Sequence, residues 1–104
     1  MPTDTIVRRA LDHARIRPSR PAYFEKVSGH WRPTTWKELA DQIRTAARAL
    51  MTLGFERGSK VALLGFNRPE WVIFNHAAMA AGGAGAGIYT TCSPEEVQYI
   101  VHHS

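Results

Sequence analysis

Lys60-Val61-Ala62-Leu63-Leu64-Gly65-Phe66, followed directly by Asn67-Arg68-Pro69-Glu70-Trp71, is the stretch on which the fold turns. After the lysine the first segment is apolar without alternation, the pattern of a strand covered on both faces. The second segment opens a helix. Asn67 can cap it, Pro69 falls in the first turn, and Glu70 suits the positive helix end. Trp71 to Ala81 is almost wholly apolar, so this helix is expected to be buried. Gly82-Gly83 stops it, and Ala84–Tyr89 reads as a second buried strand, weakened by Gly85 and Gly87. Ser93-Pro94-Glu95-Glu96 is a capping box with Pro at the first helical position, and Val97, Ile100 and Val101 give the next helix a short apolar face. The order strand–helix–strand–helix predicts a parallel pair with a right-handed crossover. Two parallel strands do not make a stable sheet alone, so the pattern implies neighbouring elements.

Upstream, Thr3 is placed to cap a first helix, with Ile6, Val7, Ala10, Leu11 and Ala14 on one face and Pro18 and Pro21 ending it. Tyr23–Val27 and His30–Thr34 flank the turn signal Ser28-Gly29 and read as a hairpin. Pro33 is expected to make the second strand an edge or to end it early. Thr35-Trp36-Lys37-Glu38 is another capping box. Behind it Trp36, Leu39, Ala40, Ile43, Ala46, Ala47, Leu50 and Met51 recur at helical steps, and Gly54 suits the left-handed position after the helix end. The fold class is α/β: a short N-terminal hairpin plus helices, and a βαβα unit of an incomplete parallel sheet.

Composition bounds function more loosely. The 104 residues make at most one small domain or part of one, with 44% hydrophobic residues to build a core. A net charge of +4 is a mild basic excess. No Lys/Arg-rich helix interleaved with aromatics accompanies it, so no nucleic-acid partner is expected. The single cysteine, Cys92, cannot form an internal disulfide, which fits a reducing, cytoplasmic setting. There is no signal-peptide core, and Asp4 and Asp12 among the N-terminal arginines argue against a mitochondrial presequence.

Few residues stand out as chemistry. Gly82, Gly83, Gly85 and Gly87 are preceded by a helix and followed by a strand, the reverse of a dinucleotide fingerprint, so they read as a helix stop and close packing. His102 and His103 are adjacent and point about 100° apart on a helix, so they cannot clamp one metal. His13, His30 and His76 are isolated, and Cys92 has no sequence-adjacent base. Catalytic, cofactor-binding and metal-binding residues are therefore assigned to none. Asn67, Thr90 and Thr91 fall just beyond the C-terminal ends of the two parallel strands, the edge at which open α/β sheets bind ligands. Asn67, Tyr89, Thr90 and Thr91 are thus substrate-cleft candidates. The competing reading is that Asn67 caps a helix and the threonines satisfy loop backbone.

Two stretches carry a family resemblance. Thr34-Thr35-Trp36-Lys37-Glu38-Leu39 resembles the first core motif of the adenylate-forming (acyl-activating) enzymes, and Ala77–Tyr89 resembles the second. Lys60–Phe66 with Asn67-Arg68-Pro69-Glu70-Trp71 is similar to the strand and helix start of long-chain acyl-CoA synthetases. Gly87-Ile88-Tyr89-Thr90-Thr91, Ser93-Pro94-Glu95 and Gln98-Tyr99-Ile100 resemble the bubblegum-type subgroup. The resemblance implies fatty acid, ATP and CoA as substrates of the full enzyme, with Mg2+. It also implies a Ser/Thr/Gly-rich loop ending in Pro-Lys-Gly, an adenine-binding aromatic segment, a ribose-binding Asp and a mobile-domain Lys. This sequence contains none of these four elements.

Residues 1–104 are accordingly expected to be a truncated, partial N-terminal AMP-binding-type domain. It would be the scaffold portion of a long-chain fatty acid–CoA ligase, inactive alone, with the remainder of the enzyme chain as its partner. The alternative is a stand-alone, non-catalytic binding module for a lipid or protein. Arg8, Arg9, Arg15, Arg17 and Arg20 suggest a basic face for anionic lipid, against a merely solvated one, so the expected location is cytoplasmic with peripheral membrane contact.

Overall fold

The computed structural model describes residues 4–104. Its elements run α1 (Ile6–Ile16), β1 (Pro21–Val27), β2 (His30–Thr35), α2 (Trp36–Thr52), β3 (Lys60–Leu64), α3 (Pro69–Ala80), β4 (Ala84–Ile88) and α4 (Pro94–His103). β1 and β2 pair antiparallel, and β3 and β4 pair parallel with Lys60 beside Ala84 and Leu64 beside Ile88. This is the α/β arrangement expected, with a hairpin followed by a βαβα unit.

Local chemistry explains the ends of the elements. Thr5 caps α1, its hydroxyl accepting from the Arg8 N–H at 3.1 Å; Thr3, read as the cap, lies outside the described residues. Ser28 and Gly29 take φ of 51° and 80°, the double left-handed turn that matches the twist of a two-residue hairpin. Pro33 does not end β2, which continues to Thr35. Both strands of this ribbon are edges, so the missing N–H breaks no interior ladder. The Thr35 hydroxyl accepts from the Glu38 N–H at 3.2 Å while the Glu38 carboxylate accepts from the Thr35 N–H at 3.0 Å. Ser93 and Glu96 repeat the exchange at α4.

α2 ends in a Schellman motif. The Gly54 N–H donates to Met51 and the Phe55 N–H to Leu50, with Gly54 at φ 100°. The same bonding closes α3, from Gly82 to Met79 and from Gly83 to Ala78. Asn67 does not cap α3. Arg68 occupies the cap position without a side-chain bond, because Pro69 begins the helix one residue later than an Asn67 cap requires.

The core lies between α2, α3 and one face of the parallel pair. Ala46, Ala47 and Leu50 meet Ala77 and Ala78, with Phe55, Val61 and Ile73 packed around them. Small side chains let the two helices approach closely. α1 adds Val7 and Ala10, and the His13 ring lies 4.6 Å from the Trp36 ring.

Of the strand expected to be buried over Ala84–Tyr89 only Ile88 is buried, and two further burial expectations fail. β3 is covered on one face only: Val61 and Leu63 are half-buried, while Ala62 and Leu64 are exposed. α3 buries Ala77 and Ala78 but leaves Val72 and Phe74 exposed. The cause is the same in both cases. The packed helices lie on one side of the strands, and α4, which follows β4, buries none of its residues.

Gly83 marks the tightest approach in this packing. A Cβ there would sit 2.1 Å from the Ser59 carbonyl oxygen and 2.5 Å from the Phe55 ring, whereas one on Gly65 would meet nothing within 4 Å. Gly83→Ala should therefore lower stability by about 1–3 kcal/mol, read as a shift in urea midpoint, and Gly65→Ala should shift it far less. Thr35→Ala should cost about 1 kcal/mol through the lost cap.

Candidate functional site

β3 and β4 end side by side, and the loops that follow them turn outward from the same edge. Between these loops lies a pocket of about 460 Å3. Asn67 borders it after β3, and Tyr89 and Thr90 after β4. The structure thus brings three of the four cleft candidates to one opening; Thr91 is not among its lining residues. Phe66 and Trp71 complete the wall, and sequence reading did not single them out. Phe66 adjoins Asn67 in sequence, whereas Trp71 reaches the opening only because α3 packs on β4.

Gly65, Gly87 and Ile88 also line the pocket. A Cβ on Gly87 would lie 3.2 Å from the Trp71 ring, so the missing side chain lets the indole lie against β4. A Cβ on Gly85 would come within 2.2 Å of the Asn75 side-chain oxygen. Both glycines therefore serve close helix–strand packing. Phe66 and Tyr89 stand 75% and 81% exposed, an aromatic pair at the rim. The Cys92 N–H donates to the Tyr89 carbonyl at 3.1 Å, which closes the loop carrying Thr90 and Thr91.

A larger groove of about 1220 Å3 runs on the other side of Asn67 and Trp71. It lies between α1, the hairpin and the first turn of α3, and includes Phe24, Trp36, His13 and His76. The His76 ring bonds the Val72 carbonyl at 2.9 Å, and the His13 ring pairs with Arg17, so both histidines are engaged within their own helices. Trp71 and Asn67 form the partition between groove and pocket.

Charge around the edge is paired locally. Glu70 is held below its ordinary value first by a bond to its own backbone N–H at the start of α3, then by Arg68 at 3.3 Å. Among the described residues no group of three or more His, Cys, Asp or Glu side chains converges on a metal-sized space. The described residues therefore offer no preformed all-protein cage for the Mg2+ that the family resemblance implies.

Glu38 and Glu96 are lowered by the backbone N–H groups that they cap. A carboxylate lowered on folding stabilises the fold above its unfolded value near 4.5 and loses that contribution as pH falls through the lowered value.

Comparison with known proteins places this geometry. A family model described as "AMP-binding enzyme" matches residues 11–104. The long-chain-fatty-acid–CoA ligase FadD15 of Mycobacterium bovis is 34% identical over 101 residues, covering 97% of this chain and 17% of the relative. The long-chain-fatty-acid–CoA ligase ACSBG2 of Gallus gallus, of the bubblegum type, is 42% identical over 82 residues, covering 79% of this chain and 11% of the relative. The fatty acid AMP ligase from Legionella pneumophila superposes with a TM-score of 0.82 at 20% identity, over 94% of this chain and 18% of that one. This last likeness is one of fold.

Melting at about pH 6 and about pH 3 tests the capping carboxylates. The intact chain should lose stability on acidification, and a Glu38→Ala, Glu96→Ala variant should lose less, because its two lowered carboxylates are gone.

Proposed function

The chain belongs to the AMP-binding enzyme family, and on that premise we propose that it forms the scaffold part of the N-terminal domain of an ATP-dependent long-chain fatty acid–CoA ligase. The chain spans 17% of the length of the M. bovis relative, so the ligase reaction is proposed for the assembly in which this scaffold works. In that reaction a fatty carboxylate attacks the α-phosphate of ATP, releasing pyrophosphate and leaving an acyl-adenylate. The CoA thiol then displaces AMP to give the thioester.

The observation that carries the reading is the half-covered sheet. After Lys60, β3 is an unbroken apolar run of the kind found in interior parallel strands, yet Leu64 and, just beyond it, Phe66 are 55% and 75% exposed. A sheet of this kind gains most from further strands and a second layer of helices, which a longer adenylate-forming domain would supply. The proposed task of these residues is positional. β3 and β4 hold Asn67, Tyr89 and Thr90 at the strand edge, and Trp71 backs them. Among the described residues none is brought together with others to move a proton or hold a phosphate, so the chain alone should not ligate.

A chimaera tests this. The matching segment of the M. bovis ligase is replaced by this chain, and acyl-CoA formation is measured with a long-chain fatty acid. Retained activity supports the scaffold reading; a folded but inactive chimaera rejects it. Within an active chimaera, Asn67→Ala with Thr90→Ala should raise KM several-fold at unchanged melting temperature, whereas Thr91→Ala should leave it unaltered. Unchanged kinetics in the first variant would remove the cleft role.

A further inference from the structure

The β1–β2 hairpin carries a surface that the core leaves open: Phe24, Lys26 and Trp31 form one wall of the larger groove and stand exposed there. Every residue from Lys26 to Pro33 is exposed, while the ribbon is anchored at its base by buried Thr34 and by the Tyr23 hydroxyl, which donates to Gln42 at 3.3 Å. Phe24 lies opposite Pro33 and Lys26 opposite Trp31. Strand alternation therefore puts Phe24, Lys26, Trp31 and Pro33 on one face. Phe24 and Trp31 are 57% and 68% exposed, and the Lys26 ammonium lies 6.0 Å from the Trp31 ring centre.

Charge singles out the same region. Asp4 to Lys37 contain eight Lys and Arg against three Asp and Glu, a net +5; Glu38 to Ser104 contain five against six, a net −1. Most of the α1 arginines are already engaged. Arg8 and Arg15 pair with Asp12, Arg9 pairs with Asp4, and Arg17 pairs with His13. Lys26 and Arg32 have no ion pair among the described residues.

We propose that this hairpin face docks on the surface of an anionic phospholipid membrane. An indole beside a lysine is the pairing that the headgroup layer favours. The ring seats its apolar body at the acyl boundary with its N–H toward water, and the lysine stem lies along it with the ammonium among the phosphates. Electrostatic attraction to acidic headgroups then adds to the buried aromatic area. A second copy adding as a strand is disfavoured by Pro33 and by the charges of Lys26 and Arg32 on these short edges. The inference stands apart from the ligase reading, since vesicle binding and ligation are measured separately.

Sedimentation of the chain with phosphatidylcholine vesicles, with and without phosphatidylserine, tests it. The chain should sediment with the phosphatidylserine vesicles only and release as salt rises. Lys26→Glu with Trp31→Ser should weaken that binding by roughly ten-fold or more, while Arg8→Gln with Arg15→Gln should weaken it less. All four positions are exposed, and circular dichroism checks each variant; Lys26→Glu alone gives the same contrast should the double variant lose structure. The proposal is overturned if the chain stays in solution, if binding survives the hairpin variant, or if the α1 variant loses more. It is equally overturned if the hairpin residues instead prove to bind single-stranded RNA without vesicle binding, or to hold a dimer at sedimentation equilibrium.

Discussion

The contact between α3 and the parallel pair sets almost everything else in this chain. Its strand side relies on glycines, with Asn75 closing on Gly85 and Trp71 on Gly87, and its other side on small residues. Ala77 and Ala78 are fully buried against α2, and Gly83 and Gly85 let the backbone and α3 close on the strands. Small residues bring backbones near, but they bury little apolar area each, and apolar area is what stabilises a small fold. Among the described residues Ile43 is the one large side chain that is fully buried. The parallel pair is thus held tightly on one face and by few large groups.

The same contact defines the site. Because α3 packs along β3 and β4, Trp71 in its first turn comes to lie against Gly87, and the strand ends splay into a pocket with Asn67, Tyr89 and Thr90 at its mouth. The pocket therefore belongs to the packing rather than to any reactive side chain. This is how a scaffold contributes to catalysis elsewhere: it fixes where loops leave a sheet. The hairpin meets α2 near its base and faces Trp71 and Val72 across the larger groove.

Much of this was legible in the sequence because it was local. Both capping boxes, the Ser28-Gly29 turn, the end of α2 at Gly54 and the order of elements follow from side-chain hydrogen bonds and backbone freedom within a few residues. What failed was non-local. An unbroken apolar run shows that a strand can be covered on two faces, but not which element does the covering. So the exposure of Leu64 and Phe74 could not be read from Lys60–Phe66 or Trp71–Ala81. Asn67 was misplaced as a cap by one residue, since Pro69 fixes the first helical turn and leaves the cap position to Arg68. That Tyr89 and Thr90 border the pocket follows from topology alone, whereas the place of Trp71 there needed the three-dimensional closeness of α3 and β4.

Native-state hydrogen exchange on the intact chain tests the central claim directly, that β3 and β4 form a well-made but one-sided sheet awaiting cover. The amides of β3 and β4 should exchange through local opening well before those of α2, whose apolar stripe is buried along its length. Uniform protection, with β3 and β4 exchanging only on global unfolding together with α2, would show a sheet complete in itself and contradict the scaffold account.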